Sequence, residues 1–426
     1  MEVGLRSLPV LTLCVFVALF VASQTTARSL FESQITSGAE TVSVGTGSLQ
    51  EVPDLFSVNR LQNAFPGFNP LVNSFSASLD ARGLPLPIAF NAGTQTISVT
   101  IPGGSLLRFD EGSLTANLNA LENWFKGDFN SATATAAQLD RLLHELVASS
   151  PVDPVAGNPN SLLSKMANAD YRLGASGPFL SRQTRPKTAP DQAGAGFRVG
   201  HADADSFSVQ SFDLPLDYRA NFQTLPELSL IASLPISLTL TEGEWSLMGS
   251  VGFGAQVRMF DVWALTPMLR FGTVGSLDVG AAAFIPSGTV TSHLDAGKLA
   301  ELWLGQGLPG DLRIGIVQQL GYAETVDTFS LGGFQFRYGI EEVVIKNGGY
   351  LSGRIGTAKW AWRIFGHDTR FVGSPLFLNA EAELGVAAAL HDSVGVAPYE
   401  VLHLGLSYVG DFDRYNGVSV GVRGRY

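Results

Sequence analysis

Along the second half of the chain, apolar and polar side chains take turns. Leu228, Leu230, Ala232, Leu234, Ile236, Leu238 and Leu240 alternate with Glu227, Ser229, Ser233, Ser237 and Thr239, and Ile231 breaks the period. Trp245, Leu247, Val251, Phe253, Ala255 and Val257 then alternate with Ser246, Ser250, Gly252, Gln256 and Arg258. A period of two places one set on each face of a β-strand. Further runs follow around Leu312 to Ile316, Phe334 to Ile340, Leu376 to Leu390 and Leu402 to Tyr408. Each is close to the roughly ten residues of a tilted membrane-crossing strand. Strands are predicted to start near residues 207, 226, 245, 262, 275, 311, 326, 342, 358, 376, 400 and 414. The fold class is therefore mainly β, an antiparallel transmembrane β-barrel of about twelve strands with a small N-terminal α+β region. Asn347-Gly348-Gly349 is a hairpin signal that would merge three of these strands into two, and Ser287 to His293 could restore the even count. The longest interruption, Pro286 to Gly310, carries Leu294 to Leu304 at helical spacing and falls on the outer side by strand parity.

The first half is patterned differently. Residues 24–83 are rich in Ser, Thr, Asn and Gly and read as mostly irregular, and 84–180 read as a small α+β domain. Within that domain Ile97, Val99 and Ile101 alternate in a hairpin. Leu114, Leu118, Leu121 and Phe125 form one helical stripe, Leu139, Leu142, Leu143, Leu146 and Val147 a second, and Leu162, Leu163 and Met166 a short third. Such stripes are expected to pack together. Residues 181–205, with Pro186, Pro190, Gly194 and Gly196, read as a linker, leaving 206–426 as the barrel.

Residues 1–23 have the form of a cleaved secretory signal: Arg6, an apolar run from Leu8 to Val21, and the small residues Ala22 and Ser23. Cys14, the single cysteine, lies within it, so the exported chain is expected to have no thiol chemistry.

Composition decides which strand face meets what. Of 426 residues, 45% are hydrophobic and 15% charged, with a net charge of −11 that argues against nucleic acid as a partner. The polar faces use Gly and Ser, and lysine, which guards the edges of soluble sheets, is scarce. A closed barrel in lipid pairs every backbone group and has no edge to guard. Apolar faces are therefore expected against lipid, with Arg258, Arg313, Arg337, Glu381, Glu383, Arg423 and Arg425 in the lumen. Two other classes compete: an enzyme with an unrecognised surface site, and a secreted soluble β protein.

Catalytic constellations are not found. His201 with Asp203, Asp205 and Ser206, His367-Asp368, and His391-Asp392-Ser393 sit in expected loops or linker without a separated partner to complete a triad. The six histidines are dispersed, so no metal site and no cofactor are expected.

The final residues, GVSVGVRGRY, put Val418, Val420, Val422, Gly424 and Tyr426 on one face. An alternating last strand ending in an aromatic resembles that of bacterial outer-membrane barrels, where it serves as the assembly signal; Gly424 departs from the larger apolar residue usual there. With the signal peptide and the non-repetitive N-terminal region, the chain resembles an autotransporter translocator barrel over about Ser206 to Tyr426. That resemblance implies an outer-membrane location, lipid and the barrel-assembly machinery as partners, and carriage of a passenger. Two features depart from it, since residues 28–180 show no β-helix repeat and no long pore-spanning helix is legible in the linker, so a solitary autotransporter-like barrel with a small accessory N-terminal domain, acting as a structural or translocating barrel or a narrow pore, is expected. The resemblance gives no oligomeric state.

Overall fold

The computed structural model describes residues 28–129, 135–175, 191–259, 262–276, 278–305, 308, 312–326, 328–354, 360–391 and 401–425. Residues 1–23, where a signal peptide is expected, and Tyr426 lie outside the described residues.

The N-terminal region is a cap built on a six-stranded antiparallel sheet. Its strands are β1 (Phe31–Ser37), β2 (Glu40–Thr46), β3 (Phe75–Ala81), β4 (Leu84–Asn91), β5 (Thr96–Ile101) and β6 (Ser105–Phe109), in the order β2-β1-β3-β4-β5-β6. Residues 24–83 are therefore not irregular; three strands and a short helix, α1 (Val58–Ala64), lie there. Their alternation escapes notice because Ser33 shares the buried face with Phe31 and Ile35, so the inward set is not uniformly apolar. Helices α2 (Leu114–Phe125) and α3 (Ala136–Ser149) bury the stripes expected of them, with Trp124 rather than Phe125 completing the first. Ser113 accepts from the Ala116 N–H at the start of α2, and Thr135 with Gln138 forms a capping box on α3.

The barrel begins earlier than the sequence pattern indicates. Strand β7 (Gln192–Ala204) lies in the segment assigned to the linker. Its glycines, which read as linker, let it lie close to the last strand: a Cβ on Gly196 would meet the Val422 carbonyl oxygen at 2.8 Å. Next come β8 (Phe207–Leu214) with β9 (Leu216–Asn221), and β10 (Leu228–Ser233) with β11 (Ile236–Thr241). Each pair is one bent strand, interrupted where Pro215 or Pro235 cannot donate to the ladder. The remainder are β12 (Glu244–Met259), β13 (Trp263–Ser276), β14 (Ala281–Asp295), β15 (Arg313–Glu324), β18 (Glu341–Arg354), β19 (Trp360–Gly373), β20 (Ala380–His391), β21 (Val401–Gly410) and β22 (Tyr415–Arg425). Strand β22 pairs antiparallel with β7 from Tyr415↔Ala204 to Arg425↔Gly194, which closes a barrel of twelve strands.

The count matches expectation although two assignments change. Residues 326–340 contribute no wall strand; they form a small hairpin, β16 (Phe329–Leu331) and β17 (Phe334–Phe336). Phe334, Phe336, Tyr338 and Ile340 alternate because they pack into the cap core, at 4%, 3%, 2% and 2% exposure. Asn347-Gly348-Gly349 lies mid-strand in β18, not in a turn.

Pro286 lies within β14, and the helical spacing beyond it is α5 (Ala296–Leu304). Because β7 adds a strand at the start, the parity of this connection reverses. It lies at the end of the barrel that holds Gln192 and Arg425. The cap sits on the opposite end, over the β7–β8, β11–β12, β13–β14 and β21–β22 turns. There Leu49 N–H donates to the Asp278 carbonyl at 2.9 Å, and Phe377 N–H to the Val147 carbonyl at 3.1 Å. Cap and barrel mouth share one core, running from Phe56, Phe90 and Trp124 to Phe207, Val279 and Tyr415.

Candidate functional site: a helix-filled lumen

Side chains in the wall follow the pleat. On β15, Ile314, Ile316, Leu320 and Tyr322 are exposed while Gly315, Val317, Gln319 and Gly321 are buried. Leu269 at 62%, Leu320 at 60% and Phe253 at 56% exposure belong to an outward apolar surface that runs around the barrel. A water-soluble barrel would put these side chains inside.

The interior is occupied by the chain itself. The third helical stripe belongs to α4 (Leu162–Ala175), which stands in the lumen and packs along β12, β13, β14 and β15. It is the pore helix that the linker sequence did not reveal, placed upstream of the linker and only fourteen residues long. A buried neck joins it to the cap. Asp153 Oδ1 accepts from the Val155 N–H at 2.8 Å, and the Asn160 amide donates to the Tyr415 hydroxyl at 2.6 Å. Leu378 N–H donates to the Gly157 carbonyl at 3.0 Å, pinning the neck to the β19–β20 connection.

Polar side chains of α4 reach the wall on several sides, and a cavity of about 110 Å³ remains between the helix and β7 to β11. Asp170 accepts from Arg270 Nε at 2.8 Å and Nη2 at 2.6 Å, and from Thr289 Oγ1 at 2.9 Å. Lys165 donates to Asp213 at 2.5 Å, and Ser164 to Glu381 at 3.3 Å. Arg172 reaches both oxygens of Glu383 at 3.1 and 3.0 Å, and Arg198 of β7 holds the same carboxylate at 2.9 Å. Lys346, fully buried, donates to Asn168 at 2.5 Å and Thr369 at 2.6 Å. His367 lies 3.4 Å from Asn168 Oδ1 and 3.7 Å from Glu383, with its ring 4.7 Å from that of Tyr171. Buried charges persist only when paired or hydrogen-bonded, and this helix supplies the partners.

Small residues make the room. A Cβ on Gly272 would lie 2.3 Å from Met166 Sδ, and one on Gly174 2.4 Å from the Thr291 methyl. A Cβ on Gly348 would lie 2.5 Å from the Tyr171 hydroxyl, and one on Gly349 2.7 Å from the Gly315 carbonyl oxygen of β15, which explains the two glycines in the middle of β18.

The expected lumen residues divide. Glu381 and Glu383 are at the centre of the network. Arg258 faces inward and lies 3.8 Å from Glu227, Arg313 lies on the inward face of β15, and Arg423 pairs with Asp217. Arg337 is not in the lumen: it follows β17, outside the wall, and pairs with Asp140 of the cap helix α3 at 3.5 Å. The side chain of Arg425 lies outside the described residues. Val418 points outward at 44% exposure, and Val420 and Val422 share its face. Of the hydrolase fragments, His201 is 3.7 Å from Asp203 on β7, while His367 faces the lumen and Asp368 the exterior. The His391 side chain, Asp392 and Ser393 lie outside the described residues.

Arg198, Arg270, Lys346, Asp170 and Arg172 were not anticipated. Their signal lay in the pleat. Ile231, the break in its alternation, points inward and packs with Met268 on Leu173 of α4. Val317 and Tyr350 likewise face inward onto Tyr171. Apolar residues at lumen positions thus trace the contact surface of the helix.

No protein-family model matches the chain, and no curated protein matches it. Among solved structures it is similar to the translocator domain of autotransporter NalP from Neisseria meningitidis, at 12% identity over 62% of this chain and 96% of that one, with a TM-score of 0.43. It is also similar to the β domain of the Bordetella autotransporter BrkA, at 14% identity over 55% and 98% of the two chains and a TM-score of 0.40. For an outer membrane channel from Pseudomonas putida F1 the values are 12%, 55%, 94% and 0.38. In architecture the chain is a closed, twelve-stranded antiparallel barrel.

Proposed function

We propose that this chain is an outer-membrane barrel whose work is to anchor and display its own N-terminal cap, and that α4 seals the pore beneath it. The observation that carries this reading is that α4 stands inside the barrel and is tied to the wall through Asp170–Arg270, Arg172–Glu383 and Lys346–Asn168. An open channel would keep its charged lining in water. Here those charges are used up by a helix continuous with the cap. The role is structural rather than catalytic, and the outward apolar surface argues against a secreted soluble protein.

The barrel's first and last residues share one end, as an even strand number requires. With that end in the periplasm, the cap lies outside the cell and α5 inside. Lipid surrounds the wall, and the barrel-assembly machinery takes up β22 through Val418, Val420, Val422 and Tyr426. The test is labelling of epitope tags on intact cells, one at the exposed Asn91–Thr94 turn of the cap and one after Gly305. The cap tag is labelled at once, and the second only after the outer membrane is permeabilised. The reverse pattern would overturn the orientation, and recovery of the chain in the soluble fraction would overturn the membrane reading.

A further inference from the structure

Below the C-terminal end of α4, towards the end of the barrel that holds Gln192, the lumen is not filled. A cavity of about 200 Å³ opens there between the helix and β18, β19 and β21. Its walls include the rings and cations of Tyr171, Tyr350, Phe365, Arg172, Arg363 and His403, with no carboxylate among the described lining residues. Arg172 is committed to Glu383. Arg363 pairs with no acid among the described residues. Its guanidinium lies 4.1 Å over the Tyr350 ring, and its Nη2 is buried without a hydrogen-bond partner among the described residues. The Tyr350 hydroxyl is itself held 3.0 Å from His293 Nε2, so the ring that carries Arg363 is fixed in place.

A buried guanidinium nitrogen with nothing to donate to is costly, and an oxyanion is the group that satisfies it best. Stacking on Tyr350 leaves the planar edge of the guanidinium, with its paired donors, free for a carboxylate. Tyr171, Tyr350 and Phe365 give the wall aromatic faces, with Val317 and Ala387 beside them, and a cavity of about 150 Å³ already accepts a benzene ring. The segment that follows α4, residues 176–190, contains Arg182, Arg185 and Lys187 and no acid, so its sequence offers no carboxylate of its own.

We propose that this chamber binds a small aromatic carboxylate, its ring between Tyr350, Phe365 and Tyr171 and its carboxylate on the edge of Arg363. The proposal rests on the lumen described above but not on the orientation in the membrane, since binding can be read on the detergent-solubilised full chain. Equilibrium binding of radiolabelled benzoate is the probe, with benzamide as a neutral competitor of the same shape and inorganic phosphate as an anion without a ring. Saturable binding at one site is expected, weakened about tenfold or more in Arg363→Gln. Benzamide and phosphate should compete poorly. Compact migration of the unboiled protein on a gel establishes that the variant is folded. Should Arg363→Gln fail to fold, Arg363→Lys keeps the charge and loses the fork, and a several-fold loss is expected there. No saturable benzoate binding, equal affinity in a folded variant, or benzamide competing as well as benzoate would overturn the proposal.

Discussion

Asp170, on the helix inside the barrel, and Arg270, on its wall, are joined by two hydrogen bonds of 2.6 and 2.8 Å, and neither side chain exceeds 1% exposure. The guanidinium is also held by Ser233 at 2.7 Å and Ser250 at 3.0 Å, and the carboxylate by Thr289. Nothing in this arrangement reaches water. Removing one partner strands the other charge, at a cost of about 3–5 kcal/mol. Arg270→Ala is therefore expected to loosen α4 while leaving the closed ladder of wall strands intact. Cells carrying it should take up bulky antibiotics that the wild type excludes. The double variant Asp170→Leu with Arg270→Met, which leaves no unpaired charge, should recover part of the barrier. Unchanged uptake in Arg270→Ala would show that the pair does not hold the helix.

The outward face makes a separate prediction. Leu320 is 60% exposed in the middle of β15. Arginine on the lipid face of a barrel costs about 2–4 kcal/mol near the bilayer midplane. Leu320→Arg should lower the yield of assembled, heat-modifiable barrel and its resistance to urea in lipid vesicles. If the variant assembles and resists urea as the wild type does, that face is not in hydrocarbon.

Much of this architecture was legible beforehand, for a physical reason. A strand between lipid and lumen must alternate, and so most of the wall and its outward leucines could be read from periodicity, while the count of twelve holds because the unrecognised β7 replaces the strand expected at 326–340. The helix could not. Leu162, Leu163 and Met166 look like any packed stripe, and only the wall shows that Asp170 and Tyr171, on other faces of α4, are buried too. Strand β7 was hidden by Gly194 and Gly196, which read as linker but serve close approach of strands. Arg337 was misplaced because alternation on β17 faces the cap core; period two reports one buried face and does not say what buries it.

A pH dependence follows from the neck. Burial pushes the Asp153 carboxyl above its ordinary 3.8, against the opposing pull of Arg82 and the Val155 and Ala156 N–H groups. Its partner Arg82 lies 3.2 Å away and is also buried. The folded cap therefore takes up this proton more readily than the unfolded chain. Stability from Asp153 is fully present below 3.8 and is lost as pH rises through the raised value. On lowering the pH from about 7 to about 4, the Tm of the wild type should rise relative to that of Asp153→Asn. A difference in Tm that does not vary with pH would contradict this.

The central claim, that a segment of the chain closes the barrel from inside, is tested most directly by ion conduction across planar bilayers. The purified protein should show no steady conductance, and a variant in which residues 162–175 are replaced by a Gly/Ser segment of equal length should show long-lived open channels. A wild type that conducts as freely as that variant would contradict the account.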